Sequence, residues 1–228
     1  MRTIAFAAAT LTLIACAAGT AESKDEAGPG EAVPSKIDAG PLAPSYPASA
    51  TEGDHGVAIF AGGCFWCVES EYDDFPGVVA AISGYIGGPE TSPTYKEVAS
   101  GATGHTEAVR IVFDPAVVTF DQLLDRFWKN HDPFRKNAQF CDRGTQYRPG
   151  IFPLDAEQRA AAHLTKGEVA AKFGEEVATE ITDAGTFWTA EEYHQDFHVK
   201  QPAHYRRYRA GCGRDKRLKA IWGDQAGH

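Results

Sequence analysis

The sequence predicts an α+β fold, a two-layer α/β sandwich built on a mixed sheet. Three observations carry that expectation. Short runs rich in Val, Ile and Phe are bounded by Gly and Pro, as strands are. Helical stretches with recognisable caps fall between them, without strict βαβ alternation. Hydrophobic residues make up 43% of the 228 positions and aromatic residues 11%, enough for a buried core.

The chain begins with Arg2 and an apolar run from Ile4 to Ala15, the length of a signal h-region and too short to span a bilayer. The run closes on Leu13-Ile14-Ala15-Cys16, which resembles the lipobox of bacterial lipoproteins. That resemblance implies a signal peptide over 1–15 and a lipid-modified Cys16. It also implies a place in the bacterial cell envelope, facing the periplasm, with the lipid as the only membrane contact. Ala17, where a sorting Asp would stand, favours the outer membrane. Residues 16–55 read as a disordered tether: Pro29, Pro34, Pro41, Pro44 and Pro47 punctuate them, Tyr46 is their one aromatic, and their acids outnumber their lysines. The folded domain is expected over 56–228.

Within it, Val57 to Phe60 reads as a buried strand ending at Gly62-Gly63, and a helix follows from Cys64 to Phe75, stopped by Pro76-Gly77. Val78 to Tyr85 and Glu107 to Phe113 read as further strands. Thr119 and Gln122 form a capping box opening a helix through Trp128. Ile151-Phe152 is a short strand, Asp155 caps a longer helix that Gly174 ends, and Val177 to Ile181 is a last strand. Glu191 to Trp222 shows a weak helical pattern.

The net charge of −9 argues against nucleic acid as a partner. Of five cysteines, four fall in the domain: Cys64, Cys67, Cys141 and Cys212. Cys64 and Cys67, one helical turn apart directly after a Gly-Gly turn, are within disulfide range but close too small a loop to add much stability. Redox work suits them better. A helix N-terminus should lower the thiol pKa of Cys64, making it the nucleophile and Cys67 the resolving thiol. A zinc site lacks its second cysteine pair. Cys141 is open to reading as a buried small hydrophobe, a spectator or a third thiol. Structural disulfides and a general thiol–disulfide oxidoreductase acting through Cys64 and Cys67 are the competing functions.

Four ordered motifs are more specific. Gly62-Gly63-Cys64-Phe65-Trp66-Cys67-Val68-Glu69, Ser83-Gly84-Tyr85-Ile86-Gly87-Gly88, Gly104-His105-Thr106-Glu107 and Gly144-Thr145-Gln146-Tyr147-Arg148 resemble the A-type peptide methionine sulfoxide reductases, as does Glu192-Tyr193-His194-Gln195 in the tail. The resemblance implies a ferredoxin-like core and reduction of free or protein-bound methionine S-sulfoxide by a monomer with no bound cofactor or metal. It implies that Cys64 attacks the sulfoxide sulfur and becomes a sulfenic acid, that Glu107 supplies a proton, and that Tyr85 and Tyr147 hydrogen-bond the sulfoxide oxygen. Phe65 and Trp66 would hold the substrate methyl group, and Asp142 would bind substrate or order the site. Cys67 or Cys212 would then form an intramolecular disulfide, reopened by an external thioredoxin-like reductant. Cys67 is expected first, on proximity. His105 is expected to be structural and His194 to support the tail. His198, His204 and Tyr205-Arg206-Arg207 should form a solvated face. Cleavage at Cys16 would also remove Met1, the single methionine, leaving a mature chain without the residue its substrates carry.

Overall fold

The computed structural model describes residues 45–227; the signal segment, Cys16 and the tether as far as residue 44 lie outside the described residues. In chain order the strands are β1 (Ser45–Tyr46), β2 (Thr51–Glu52), β3 (His55–Ala61), β4 (Val78–Ile86), β5 (Thr106–Phe113), β6 (Ala138–Gln139), β7 (Asp142–Arg143), β8 (Gly150–Ile151), β9 (Glu180–Ile181) and β10 (Phe187–Thr189). The helices are α1 (Phe65–Glu69), α2 (Tyr95–Ala99), α3 (Phe120–Lys129), α4 (Ala156–Phe173), α5 (Phe197–Lys200), α6 (Pro202–Gly211) and α7 (Arg214–Trp222). The main sheet runs β1-β10-β4-β5-β3-β8-β9, with β2 beside β3. Its one parallel pair is β8 with β9, so the sheet is mixed, as expected. The central order β4-β5-β3-β8, joined through α1 and α3, is the βαββαβ arrangement of a ferredoxin-like core.

The pleat sorts the core. On β3, Ala58 and Phe60 point to the helical side, where they meet Phe65, Tyr72, Leu123, Leu124 and Phe127. Val57, Ile59 and Ala61 point to the other side, against Ile86, Ala108, Phe152 and Phe187. On β5, Val109 and Ile111 share the helical side, and Glu107 has the same parity, which aims it at the start of α1.

The caps behave as the sequence indicates. Thr119 and Gln122 make both bonds of their capping box, Asp155 Oδ1 accepts from Gln158 N–H at 2.8 Å, and Gly174 closes α4 in the left-handed conformation at φ 65°.

Four expectations need correction. Residues 45–55 are not tether: β1 pairs with β10, and β2 with β3, while Tyr46 packs under the Arg110 guanidinium, 4.1 Å from its ring. The hydrogen-bonding and packing available at the sheet edge outweigh the polar composition there. The helix from Cys64 stops at Glu69 rather than Phe75. Ser70 Oγ donates to the Cys67 carbonyl, and the chain goes on in turns bonded from Glu71 to Val68 and from Tyr72 to Glu69. The strand expected over Val177–Ile181 shrinks to Glu180–Ile181, because Ala178 N–H bonds the Pro133 carbonyl outside the sheet. His198 is not part of a solvated face but half-buried against Asp73; Arg206 and Arg207 are exposed as expected.

Candidate active site

Gly63 adopts φ +85°, and a Cβ there would stand 2.4 Å from the Gln139 side chain. This turn delivers Cys64 to the N-cap of α1. Cys64 and Cys67 are both free thiols, with 7% and 2% of their surfaces exposed. The dithiol is therefore enclosed.

The electrostatics reverse one expectation. Burial raises the Cys64 thiol pKa well above the ordinary range, and the Cys67 and Glu107 charges push the same way. A helix of only five residues offers too small a dipole to offset this. The hydrogen bond from Cys64 instead lowers Cys67 to about 7, with Arg214 and Arg209 also favouring its charge. The two thiols share their charge, and the Arg214 and Arg209 guanidiniums draw it toward Cys67. A thiolate at Cys67 is the form needed to attack an oxidised Cys64.

Glu107 is 2% exposed and its Oε2 accepts the Phe65 N–H at 2.9 Å. Burial raises its pKa to about 8 against the lowering effect of that bond, with Asp142 and Cys67 adding to the rise. It is thus a neutral carboxylic acid at pH 7, held beside the dithiol, and able to donate a proton.

The two tyrosines separate. Tyr147 lies in a 3-10 turn (Thr145–Tyr147), half-buried and electrostatically coupled to Glu107 and Cys64. Among the described residues its hydroxyl has no hydrogen-bond partner, so it is available to a ligand. Tyr85 stands opposite Glu107 in the β4–β5 register but is fully buried, and its hydroxyl donates to Glu191 Oε2 at 2.8 Å. The role expected of it at the sulfoxide oxygen is corrected accordingly: Tyr85 is a core residue. Tyr95, which the sequence did not single out, packs on Phe65 within the electrostatic reach of Glu107 and Cys64. Its backbone N–H donates to Glu191 Oε1 at 2.8 Å, and its half-buried hydroxyl, pushed up to about 12, feels Glu107 and Cys64.

Phe65 and Trp66 form an aromatic wall. Phe65 is buried and packs on Tyr85 and Tyr95, with centroids 5.9 and 6.4 Å away. Trp66 Nε1–H donates to His194 Nδ1 at 3.1 Å, which makes His194 the Nε2–H tautomer; burial lowers its pKa to about 4, so it stays neutral. Phe197 stacks on Trp66 at 3.7 Å and 6°. The Glu192–Gln195 motif acts as glue: Gln195 bonds the Ser83 backbone through both its amide atoms, and His194 fixes the indole. Asp142 meets the site through Tyr208, whose hydroxyl donates to Asp142 Oδ2 and contacts the Cys64 sulfur. His105 is structural as expected, accepting from Gly88 N–H and bonding the Glu90 carbonyl.

Cys141 and Cys212 form a disulfide with Cα atoms 4.8 Å apart across 71 residues of sequence. Cys141 is exposed, not a buried hydrophobe. Cys212 sits one helical turn after Tyr208, so the bond lies just outside the dithiol.

An enclosed dithiol, a neutral carboxylic acid, free tyrosine hydroxyls and an aromatic wall define the class: a thiol-based reductase for a small polar group carried on an apolar one. The relatives agree. Residues 56–226 match the family model described as peptide methionine sulfoxide reductase. The peptide methionine sulfoxide reductase MsrA of Listeria innocua is 49% identical over 167 residues, covering 72% of this chain and 94% of that protein. MsrA 2 of Rhizobium meliloti is 45% identical over 180 residues, covering 79% and 89%. Among solved structures, reduced Mxr1 from Saccharomyces cerevisiae superposes with a TM-score of 0.63 at 32% identity, covering 68% of this chain and 90% of that one. Methionine sulfoxide reductase A of Corynebacterium diphtheriae superposes at 0.61 and 31%, covering 72% and 85%. The chain belongs to the peptide methionine sulfoxide reductase family.

Proposed function

We propose that the chain reduces methionine S-sulfoxide, free or in proteins, by an attack of Cys64 on the sulfoxide sulfur. The observation that carries this reading is Glu107, a buried acid kept protonated near neutral pH beside a buried cysteine pair. The sulfoxide oxygen lies within reach of Glu107, Tyr147 and Tyr95, while Phe65 and Trp66 take the methyl group, aromatic faces being good partners for sulfur. Cys64 gives up its proton as it bonds to sulfur, and Glu107 protonates the oxygen. The hydroxyl then passes from the substrate sulfur to the Cys64 sulfur as the bond between the two sulfurs breaks, which releases methionine and leaves Cys64 as sulfenic acid, the proton from Cys64 returning to Glu107. The Cys67 thiolate then attacks the Cys64 sulfur, the S–O bond breaks, and the hydroxide leaves as water with the proton of Glu107, which solvent restores, giving the Cys64–Cys67 disulfide. Two electrons from an external dithiol of thioredoxin type reopen it. No bound cofactor enters the cycle.

The buried, protonated Glu107 beside the pair favours this reading over the alternative, a general thiol–disulfide oxidoreductase, because disulfide exchange has no sulfoxide oxygen to protonate. The Leu13–Cys16 pattern supports lipidation of Cys16 and repair of oxidised proteins in the bacterial envelope by a monomer facing the periplasm, on the outer membrane. Among the described residues no helix is long and apolar enough to cross a membrane.

The test is turnover of a methionine sulfoxide peptide with dithiothreitol. Wild type should reduce it, Cys64→Ser should not, and insulin disulfides should be reduced no faster than by dithiothreitol alone. Absence of peptide turnover by wild type would end this reading.

A further inference from the structure

Glu69 has no part in the chemistry above, yet it is fully buried on the same helix as the dithiol. Neither of its carboxylate oxygens has a hydrogen-bond partner, and nor has the buried Ser83 hydroxyl. The Asp196 amide and the Ser83 hydroxyl lie close enough to favour charge on Glu69 without reaching bonding geometry. Leaving such a carboxyl unsatisfied is costly. Beside it stand Asp73, from the turns after α1, and His198, from α5, with His198 Nε2 3.3 Å from Asp73 Oδ2. One ligand atom each from Glu69, Asp73 and His198 falls within 4.8 Å of the others.

We propose that Glu69, Asp73 and His198 bind a divalent transition-metal cation of the Mn²⁺ or Zn²⁺ class. One imidazole and two carboxylates form a nitrogen–oxygen donor set without sulfur, which suits these ions. Bonds of about 2.1 Å to a tetrahedral centre put ligand atoms about 3.4 Å apart. The side chains must therefore close in by up to roughly 1.4 Å, which rotamer adjustment of the half-buried Asp73 and His198 allows. These two side chains are 19% and 16% exposed, giving the ion a way in, while Glu69 forms the floor. The surrounding charge is negative, since Asp74 and Asp196 act on Asp73. Lys200, the cation on α5, is held by Glu192 and Asp196. Burial raises Glu69 to about 8 and Asp73 to about 7, so the carboxyls lack the counter-charge that a cation supplies. The other cluster of candidate ligands, Cys141, Asp142 and Cys212, has both sulfurs tied up in a disulfide.

A cation here would tie α5 to the segment carrying α1. His198 directly follows Phe197, the ring stacked on Trp66, so the ion would hold that stack in place. The inference stands whether or not the chain reduces sulfoxides.

The experiment titrates the full chain, stripped by chelator and with its Cys141–Cys212 disulfide intact, with MnCl₂ at pH 7.5, following free Mn²⁺ by electron paramagnetic resonance. Manganese is chosen because thiolates bind it less well than zinc. One Mn²⁺ per chain should bind to wild type and to Asp142→Asn. Affinity should fall at least ~10-fold in Glu69→Gln and in His198→Ala. Circular dichroism and thermal melts check folding, and Asp73→Asn, at a partly exposed position, serves if Glu69→Gln does not fold. No binding to wild type up to about 1 mM, or equal affinity in the folded variants, would overturn the proposal and leave a protonated Glu69 beside the His198–Asp73 contact.

Discussion

Replacing Glu107 by Gln should make the protein more stable and nearly inactive, and the gain should depend on pH in a defined way. The carboxyl titrates at about 8 in the fold against an ordinary 4.5. Below pH 4.5 it is protonated in both folded and unfolded chains, so the variant should differ little. As pH rises from 4.5 to 8, the unfolded chain releases the proton and the fold retains it. Wild type therefore loses stability across that window, up to about 5 kcal/mol at 1.36 kcal/mol per unit of separation. Gln keeps the bond from Phe65 N–H through its amide oxygen and has no charge to suppress. Urea unfolding of both proteins, with thiols reduced, at pH 5, 7 and 9 measures the difference. Other buried acids in the window, Glu69 at about 8 and Asp73 at about 7, are common to both chains and cancel. The variant's advantage should grow by several kcal/mol from pH 5 to pH 9, while kcat falls by about 10²–10⁴ through loss of the acid. A pH-independent difference in stability would refute the claim that Glu107 is held protonated by burial.

The tyrosines should divide by the same logic of partners. Tyr147→Phe and Tyr95→Phe should each lower kcat/KM roughly tenfold, whereas Tyr85→Phe should cost about 1 kcal/mol in melting experiments and leave kcat/KM near wild type. Cys141→Ser or Cys212→Ser should lower unfolding stability by up to about 4 kcal/mol, the chain-entropy value for so long a loop, read from urea titrations under non-reducing conditions. Phe197→Ala removes a stacked pair worth about 1 kcal/mol beyond its buried area, so KM for a sulfoxide peptide should rise with less change in kcat.

Much of this was legible where local chemistry decides. The capping pairs Thr119 with Gln122 and Asp155 with Gln158, and the left-handed Gly174, are written within a few residues and form as read. Strands β3, β4 and β5 are apolar enough to admit no other reading. What the sequence hid depends on partners far along the chain. Tyr85 and Tyr95 both sit near Gly-rich loops, and only Glu191, about a hundred residues on, decides which hydroxyl is spent. The N-cap position alone points to a thiolate on Cys64; burial in the folded chain overrides it although a hydrogen bond from Tyr208 works the other way, and Arg214, from the tail, favours charge on Cys67 instead. Cys141 could not be paired with Cys212 across 71 residues without the fold. Phe197 belongs to none of the motifs, and it proves to be the ring that backs Trp66.

The alternation along β5 has one more consequence. Because side chains on a strand change sides at every step, an acid serving this dithiol has few addresses on β5: positions on the helical side recur every second residue, roughly 6.6 Å apart. The next such position after Glu107 is Val109, already inside the core. A slip of β5 by one residue against β4 would turn Glu107 away from Cys64 and bring Ala108 or Thr106 in its place. The reactive centre is thus indexed to the sheet in whole steps, and a chain that has collapsed with the wrong pairing cannot be a partly active enzyme.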